Sequence, residues 1–195
     1  MFRNPLQLRL KKLSPQQLQL FMLVLCERMA INYGFFALNT EQKVNFDKFK
    51  QIMNLLWESL SVKNVQINFD GQLEKLELLI PQESDYSIYA VHPAIDACEA
   101  LSEALHAKLT DDVLEHALSV SQISLKTVCD VYLAEHDIEI TEAEANELEP
   151  IKDEWDNQWE IFRLILDTPF SASFVKELKE EVSQIKESQI GLFLS

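Results

Sequence analysis

The sequence predicts an all-α fold: a single-domain helical bundle of about seven or eight helices, with at most minor extended segments. Three observations predict it. Apolar residues recur every three or four positions along most of the chain, only 3 Gly and 6 Pro punctuate 195 residues, and 47% of the residues are hydrophobic. The first pattern belongs to helices that bury one face. The second leaves too few turn-formers for a many-stranded sandwich or barrel. The third, with 11 Phe and 3 Trp, supplies enough apolar area to offset chain entropy, which disfavours disorder. No repeat, low-complexity linker or break in composition divides residues 1–195. They read as one domain with a basic N-terminal arm (1–13) and an apolar C-terminal tail (189–195).

Each element has a local reason. Ser14-Pro15-Gln16-Gln17 is a capping box with proline at the first helical position. The helix it opens carries Leu18, Phe21, Met22, Leu25, Met29 and Phe36, and is expected to run to about Leu38 with a bend at Gly34. Asn45 is a cap for a second helix, in which Phe46, Phe49, Met53, Leu56 and Leu60 keep the three-four spacing. Val65, Ile67 and Phe69 alternate, so 62–69 is extended, with room for one short strand. A third helix carries Phe69, Leu73, Leu76 and Ile80 and stops at Pro81. A fourth starts near Asp85, is interrupted or kinked at His92-Pro93, and continues through Ala94, Cys98, Leu101, Leu105 and Leu109. Thr110 caps a fifth helix over 111–136. Its apolar residues wrap widely around the axis, as in a helix central to its domain. Thr141 and Glu144 form another capping box. Pro150 opens a helix with Ile151, Trp155, Trp159, Phe162 and Leu166 in register. Ser171 caps the last helix, with Phe174, Leu178, Val182 and Ile185 inward. The tail Ile190 to Leu194 is too apolar to stand in water and must pack on the body or on a second subunit.

Charge narrows the function classes. Thirty-two acidic residues against 17 basic ones give a formal charge of −15. Such a field repels phosphate backbones, so nucleic acid is not an expected partner and a basic or neutral protein is. The imbalance is uneven. Arg3, Arg9, Lys11 and Lys12 make the N-terminal arm basic, whereas residues 135–156 hold ten acids and one lysine, Lys152. The arm is expected to dock on the acidic body or to stay solvated. Cys26, Cys98 and Cys129 are odd in number and sit in apolar helical patterns, which reads as buried thiols in a reducing compartment. Residues 1–26 imitate a signal peptide, a basic start followed by the apolar run LQLFMLVLC (18–26), but Leu25 precedes the cysteine and no small-x-small site follows. The longest uncharged stretch, residues 13–26, falls short of the roughly 17–25 residues that span a bilayer. A cytoplasmic chain with no membrane contact is the expectation.

Two constellations could carry chemistry. His92, Asp96, Glu99, Glu103 and His106 fall on one face of the fourth helix. Glu103-x-x-His106 has the form used by di-iron bundles, but no second copy accompanies it. The opposite face (Ala94, Cys98, Leu101, Leu105) must be buried, so this polar stripe is expected to look into solvent. The second constellation is on the tryptophan helix, where Trp155, Asp156, Trp159, Glu160 and Arg163 have the residue types of an aromatic-acidic cleft. An amphipathic helix with its tryptophans in the core would look the same. Arg163 is placed to pair with Glu160 or to stack on Trp159. Asn68 or Asp70 is an N-cap, and Cys26 is an inert core thiol. No phosphate-binding loop, G-x-S-x-G, C-x-x-C or H-E-x-x-H is present, and no cofactor or metal set is read.

Six segments carry a resemblance: CERM (26–29), WESLSVK (57–63), NFDGQLEK (68–75), PAIDACEAL (93–101), EWDNQWEIFRL (154–164) and SQIGLFL (188–194). Together they resemble the YjaG-like family of bacterial proteins of unknown function along the whole chain. An aromatic at position 92 and an asparagine at 189 would complete the match, where this chain has His92 and Gln189. The resemblance implies an all-helical cytoplasmic bacterial protein and brings no catalytic residues with it. The residues themselves point first to a non-enzymatic protein-interaction or regulatory module, with a homodimer as one arrangement. The alternative is a small metal-dependent or carboxylate-based enzyme using Asp96, Glu99, Glu103 and His106.

Overall fold

The structure is a computed structural model that describes residues 6–194. Among them are nine α-helices, one 3-10 turn and no strand: α1 (Gln7–Leu10), α2 (Pro15–Asn39), α3 (Lys43–Ser61), α4 (Phe69–Glu77), α5 (Val91–His106), α6 (Val113–His136), α7 (Glu142–Ala145), α8 (Glu149–Asp167) and α9 (Ala172–Ser183). The 3-10 turn is Glu83–Asp85. Two of the nine, α1 and α7, are single turns, which accounts for the excess over the expected number.

α2 is the axis of the bundle. It begins at the expected capping box: Ser14 Oγ accepts from the Gln17 amide, and the Gln17 side chain accepts from the Ser14 amide. It runs unbroken through Gly34, and 18 of its 25 residues are buried. α3, α5, α6, α8 and α9 all pack against it. Centrality was expected for α6; it belongs to α2, because α6 keeps a solvated side while α2 is enclosed all round. By length and composition α2 alone among the described residues could cross a bilayer, and 89% of the window that meets this test is buried inside the bundle. A bundle must cover such a helix or expose it.

Other elements move relative to the sequence reading. Residues 62–68 form no strand. Gln42, not Asn45, sits at the N-cap of α3, and the Asn45 side-chain Nδ2 donates to Gln42 Oε1 at 2.8 Å. α4 stops at Glu77, so Ile80 lies in the turn beyond it. Pro93 does not kink a longer helix. It lies in the first turn of α5, where the missing N–H costs no intrahelical bond. Thr110 does not cap α6, which starts three residues later. Ile185 is exposed beyond the end of α9. The Thr141–Glu144 box and the Ser171 cap form as expected. From Leu6 onward the basic arm is packed: Leu6, Leu10 and Leu13 are buried, and the Arg9 guanidinium lies 5.4 Å over the Trp159 ring. Arg3 lies outside the described residues. The tail turns back on itself, with an antiparallel bridge between Glu187 and Phe193. Gly191 takes φ +73°, and the missing side chain of Gly34 leaves room for Leu194 and Phe46. Phe193 stays largely exposed.

The sharpest departure is on α8. Its buried residues are Ile151, Glu154, Gln158, Phe162 and Ile165, while Trp155 and Trp159 are half-buried and Leu166 is exposed. The helix is rotated from the face that apolar spacing suggests because polar groups hold it. Glu154, only 2% exposed, pairs with Arg28 of α2 at 2.9 Å. It also accepts from Ser124 at 2.7 Å and from Gln158 at 2.8 Å. The Ser121 hydroxyl donates to Gln158 Oε1 at 2.6 Å. Next to Arg28 in sequence, Glu27 accepts from the indole of Trp57 and from Lys50, each at 2.9 Å. Two adjacent α2 residues of opposite charge therefore reach different neighbours, Glu27 toward α3 and Arg28 toward α8.

Removing one partner of a buried pair strands the other, which typically costs about 3–5 kcal/mol, whereas apolar replacement of both is far milder. Glu154→Ala is expected to lower unfolding free energy by that amount in urea denaturation, and Arg28→Met/Glu154→Met by clearly less. Equal losses would contradict the ion-pair account of α8.

Candidate functional site

At the α5–α6 pair, polar side chains singled out by the sequence coincide with a sizeable hollow. Pro93 in the first turn of α5, and the apolar face of Ala94, Ala97, Cys98, Leu101 and Leu105 turned into the core, leave the opposite side of the helix facing α6. Between them lies an open cleft of 530 Å³. α5 lends it His92, Asp96 and Glu99, and α6 lends Lys126 and Asp130. Tyr89 comes from the preceding loop and Glu83 from the 3-10 turn.

Asp96 anchors the cleft. It is only 7% exposed, which corrects the expectation of a stripe wholly in solvent. A buried carboxylate survives because it is bonded. Its Oδ2 lies 2.8 Å from the Thr127 hydroxyl, and its Oδ1 lies 3.4 Å from Lys126 Nζ. The Thr127 hydroxyl is also 2.9 Å from the Ile123 carbonyl, and its single proton serves one acceptor at a time. Lys126 donates to Asp130 at 2.7 Å as well. Burial works against the Lys126 charge, but the hydrogen bonds and fields of Asp130 and Asp96 outweigh it and hold its pKa above the ordinary lysine value. The Glu99 carboxyl is pushed up by desolvation and then by the neighbouring charge of Asp96. The Tyr89 phenol is pushed up by burial and then by Asp130 and Asp96. Tyr89 donates to the Asp130 carbonyl oxygen at 3.0 Å, and its ring stands 5.1 Å from that of His92. The site is thus a pair of anchored carboxylates, two more near the rim, one lysine and an aromatic wall.

The five-residue stripe is split. His92, Asp96 and Glu99 line the cleft, whereas Glu103 and His106 lie further along α5 with His116 of α6. His116 Nδ1 is 2.7 Å from Glu103 Oε2, and His116 Nε2 is 3.0 Å from the Thr110 hydroxyl. His106 Nδ1 meets the Ser102 carbonyl at 2.9 Å, and its ring stacks on His116 at 6.0 Å. These bonds close the corner between the two helices. Among the described residues no group of three or more His, Cys, Asp or Glu side chains could hold a metal ion.

The aromatic-acidic cleft on α8 does not form. Trp155 and Trp159 pack on the core, while Asp156, Glu160 and Arg163 look away from it into solvent. Glu160 and Arg163 edge a separate 280 Å³ depression that neither tryptophan lines. Arg163 makes no ion pair among the described residues, and Trp159 is covered by Arg9 instead. Asn68 caps α4 by accepting from the Gly71 amide at 3.0 Å. All three cysteines are free and buried, and burial pushes the Cys26 thiol far up, so it is not an activated nucleophile. The sequence reading missed Tyr89, Lys126 and Asp130. The Lys126–Asp130 spacing of four was a readable pair, but nothing in one chain's pattern shows that it faces Asp96.

Comparison with known proteins gives a consistent family match. The family model described as "Protein of unknown function (DUF416)" matches residues 5–193. The chain is 42% identical to the uncharacterized protein YjaG of Salmonella typhimurium over 193 residues, covering 98% of each. It is 41% identical to YjaG of Escherichia coli over 196 residues, again covering 98% of each. An uncharacterized protein of Haemophilus influenzae is 40% identical over 97% of both chains. The crystal structure of a DUF416 family protein from Shewanella baltica superposes with a TM-score of 0.87 at 28% identity, covering 98% of this chain and 100% of that one.

Lys108, in the α5–α6 corner, gives a pH test. Burial pushes its pKa down to about 8 from 10.5. The folded state then binds fewer protons than the unfolded state between those values, so Lys108 costs stability below about 8 and the cost fades as pH rises toward 10.5. Lys108→Met is expected to raise the melting temperature at pH 7, with a ceiling of about 3 kcal/mol at 1.36 kcal/mol per pKa unit. The gap to the wild type should narrow steadily above pH 8 and vanish only above pH 10.5. A gap that does not change with pH would contradict the burial of this amine.

Proposed function

For a chain that belongs to the DUF416 family, whose relatives bring no activity with them, we propose a non-enzymatic protein-interaction role in which the α5–α6 cleft receives a basic segment of a partner. One observation carries this reading. Carboxylates from separate elements (Glu83, Asp96, Glu99, Asp130) converge on one cleft against a single lysine. Asp96 is fixed in advance by Thr127 and Lys126, so a guanidinium or ammonium group meets acceptors that need little reordering. Tyr89 offers an aromatic ring to a cation. The overall charge of −15 supports fast encounter with a basic partner. The three free, buried thiols support a cytoplasmic setting.

The enzymatic alternative fares worse on the same geometry. Asp96, Glu99, Glu103 and His106 do not converge on one point. Glu103 is taken by His116, and His106 Nδ1 by a backbone carbonyl.

A fluorescent octa-arginine peptide followed by anisotropy tests the reading. Glu99→Lys/Asp130→Lys is expected to weaken binding at least about tenfold, in line with the loss of close charge partners. The control Asp156→Lys/Glu160→Lys changes net charge equally, outside the cleft, and should leave affinity within about twofold, because rim charges act mainly on encounter. Equal losses in both variants would reduce the effect to global charge and remove the cleft from the account.

A further inference from the structure

A second hollow, of 430 Å³, lies between α3 and α4 and has the opposite character. Its floor is apolar: Ile52 and Leu79 are buried and Leu55 half-buried. Leu78 stands at its edge 84% exposed, the most exposed of the large hydrophobic residues described. Lys48 and Lys75 also line it, and no carboxylate does. Neither lysine has an ion-pair partner among the described residues, so both charges are free to meet an incoming acid. In a chain with 32 acids and 17 bases, two unpaired lysines flanking an apolar floor call for an occupant that is acidic and apolar at once.

The same chain presents such an occupant. α6 ends at Asp137, which takes the left-handed conformation at φ +51° and turns the chain outward. There Ile138 stands 40% exposed between Asp137 and Glu139, with Glu135 exposed in the last turn of α6. The α3–α4 pair packs on α2, α5 and α9, while α6 packs on α1, α2, α5 and α8. Groove and turn thus belong to different parts of the surface, and one molecule is not arranged to fill its own groove. We propose that the α3–α4 groove receives the acidic turn at residues 137–139 of a second copy, Ile138 meeting the apolar floor between Lys48 and Lys75. The contact joins two unlike surfaces, so it repeats head to tail and builds chains or closed rings rather than a two-fold dimer. Mutual repulsion of chains carrying −15 each keeps it weak and dependent on concentration. It does not rest on the cleft between α5 and α6.

Sedimentation velocity from about 5 to 500 μM, a range chosen for weak association, tests it. The wild type is expected to sediment faster as concentration rises. Lys48→Glu/Lys75→Glu should stay monomeric, and so should Glu135→Lys/Glu139→Lys. Mixed in equal amounts, the two variants should associate again, because each reversed surface then meets its complement. Circular dichroism verifies that each variant is folded. If one is not, Leu78→Ser and Ile138→Ser replace it, each expected to abolish association. A wild type that remains monomeric throughout, variants that associate like the wild type, or a mixture that stays monomeric overturns the proposal.

Discussion

The whole architecture follows from a helix that no single neighbour can cover. α2 carries apolar side chains around its full circumference, from Leu18 to Ala37, and buries 18 of 25 residues. One packing partner would shield only one stripe of such a surface. α3, α5, α6, α8 and α9 therefore close around it from several sides. Cys26 and Cys98, the large buried aromatic side chains and the small alanines of α5 are placed by that demand. Ala94, Ala97, Ala100 and Ala104 let α5 lie close to the axis, and the opposite face of α5 is left to build the cleft.

Apolar enclosure fixes that α2 is inside, but not the angle at which its neighbours sit. Polar contacts set that angle. Glu27 reaches Lys50 and the fully buried Trp57 on α3, and Arg28 reaches Glu154 on α8. A neighbour rotated by one residue would strand a buried charge, so these pairs select one register among several of similar apolar burial. On the far side Asp96 does the same between α5 and α6, through Thr127 and Lys126. The groups that orient the bundle and the groups that line its cleft are thus of one kind, and at Asp96 they are one residue.

Much of this could be read from the sequence, and the limits have physical causes. Caps at Ser14, Thr141 and Ser171 depend on residues three positions apart, and all three formed. The all-α class and the burial of the three cysteines followed from spacing and composition, whereas the short strand allowed at 62–69 did not form. What failed depended on contacts between distant residues. Apolar counting put Leu166 inward on α8 and passed over Glu154 and Gln158, because it cannot know that Arg28 waits for Glu154. It put α6 at the centre, because a broad apolar face on one helix says nothing of a more complete one elsewhere. At the candidate site it grouped His92, Asp96 and Glu99, which line one cleft, with Glu103 and His106, which bond elsewhere, and it missed the α6 half. The YjaG-like resemblance agreed with the family match and, like it, left the activity open.

The account stands on α2 being enclosed so fully that it is reached only when the whole bundle opens. Native-state hydrogen exchange under increasing denaturant measures this directly. The amides from Leu20 to Tyr33 should exchange with the free energy of global unfolding and with its full denaturant dependence. Exchange of these amides at much lower free energy, insensitive to denaturant, would show α2 opening locally and would contradict its place as the axis of the fold.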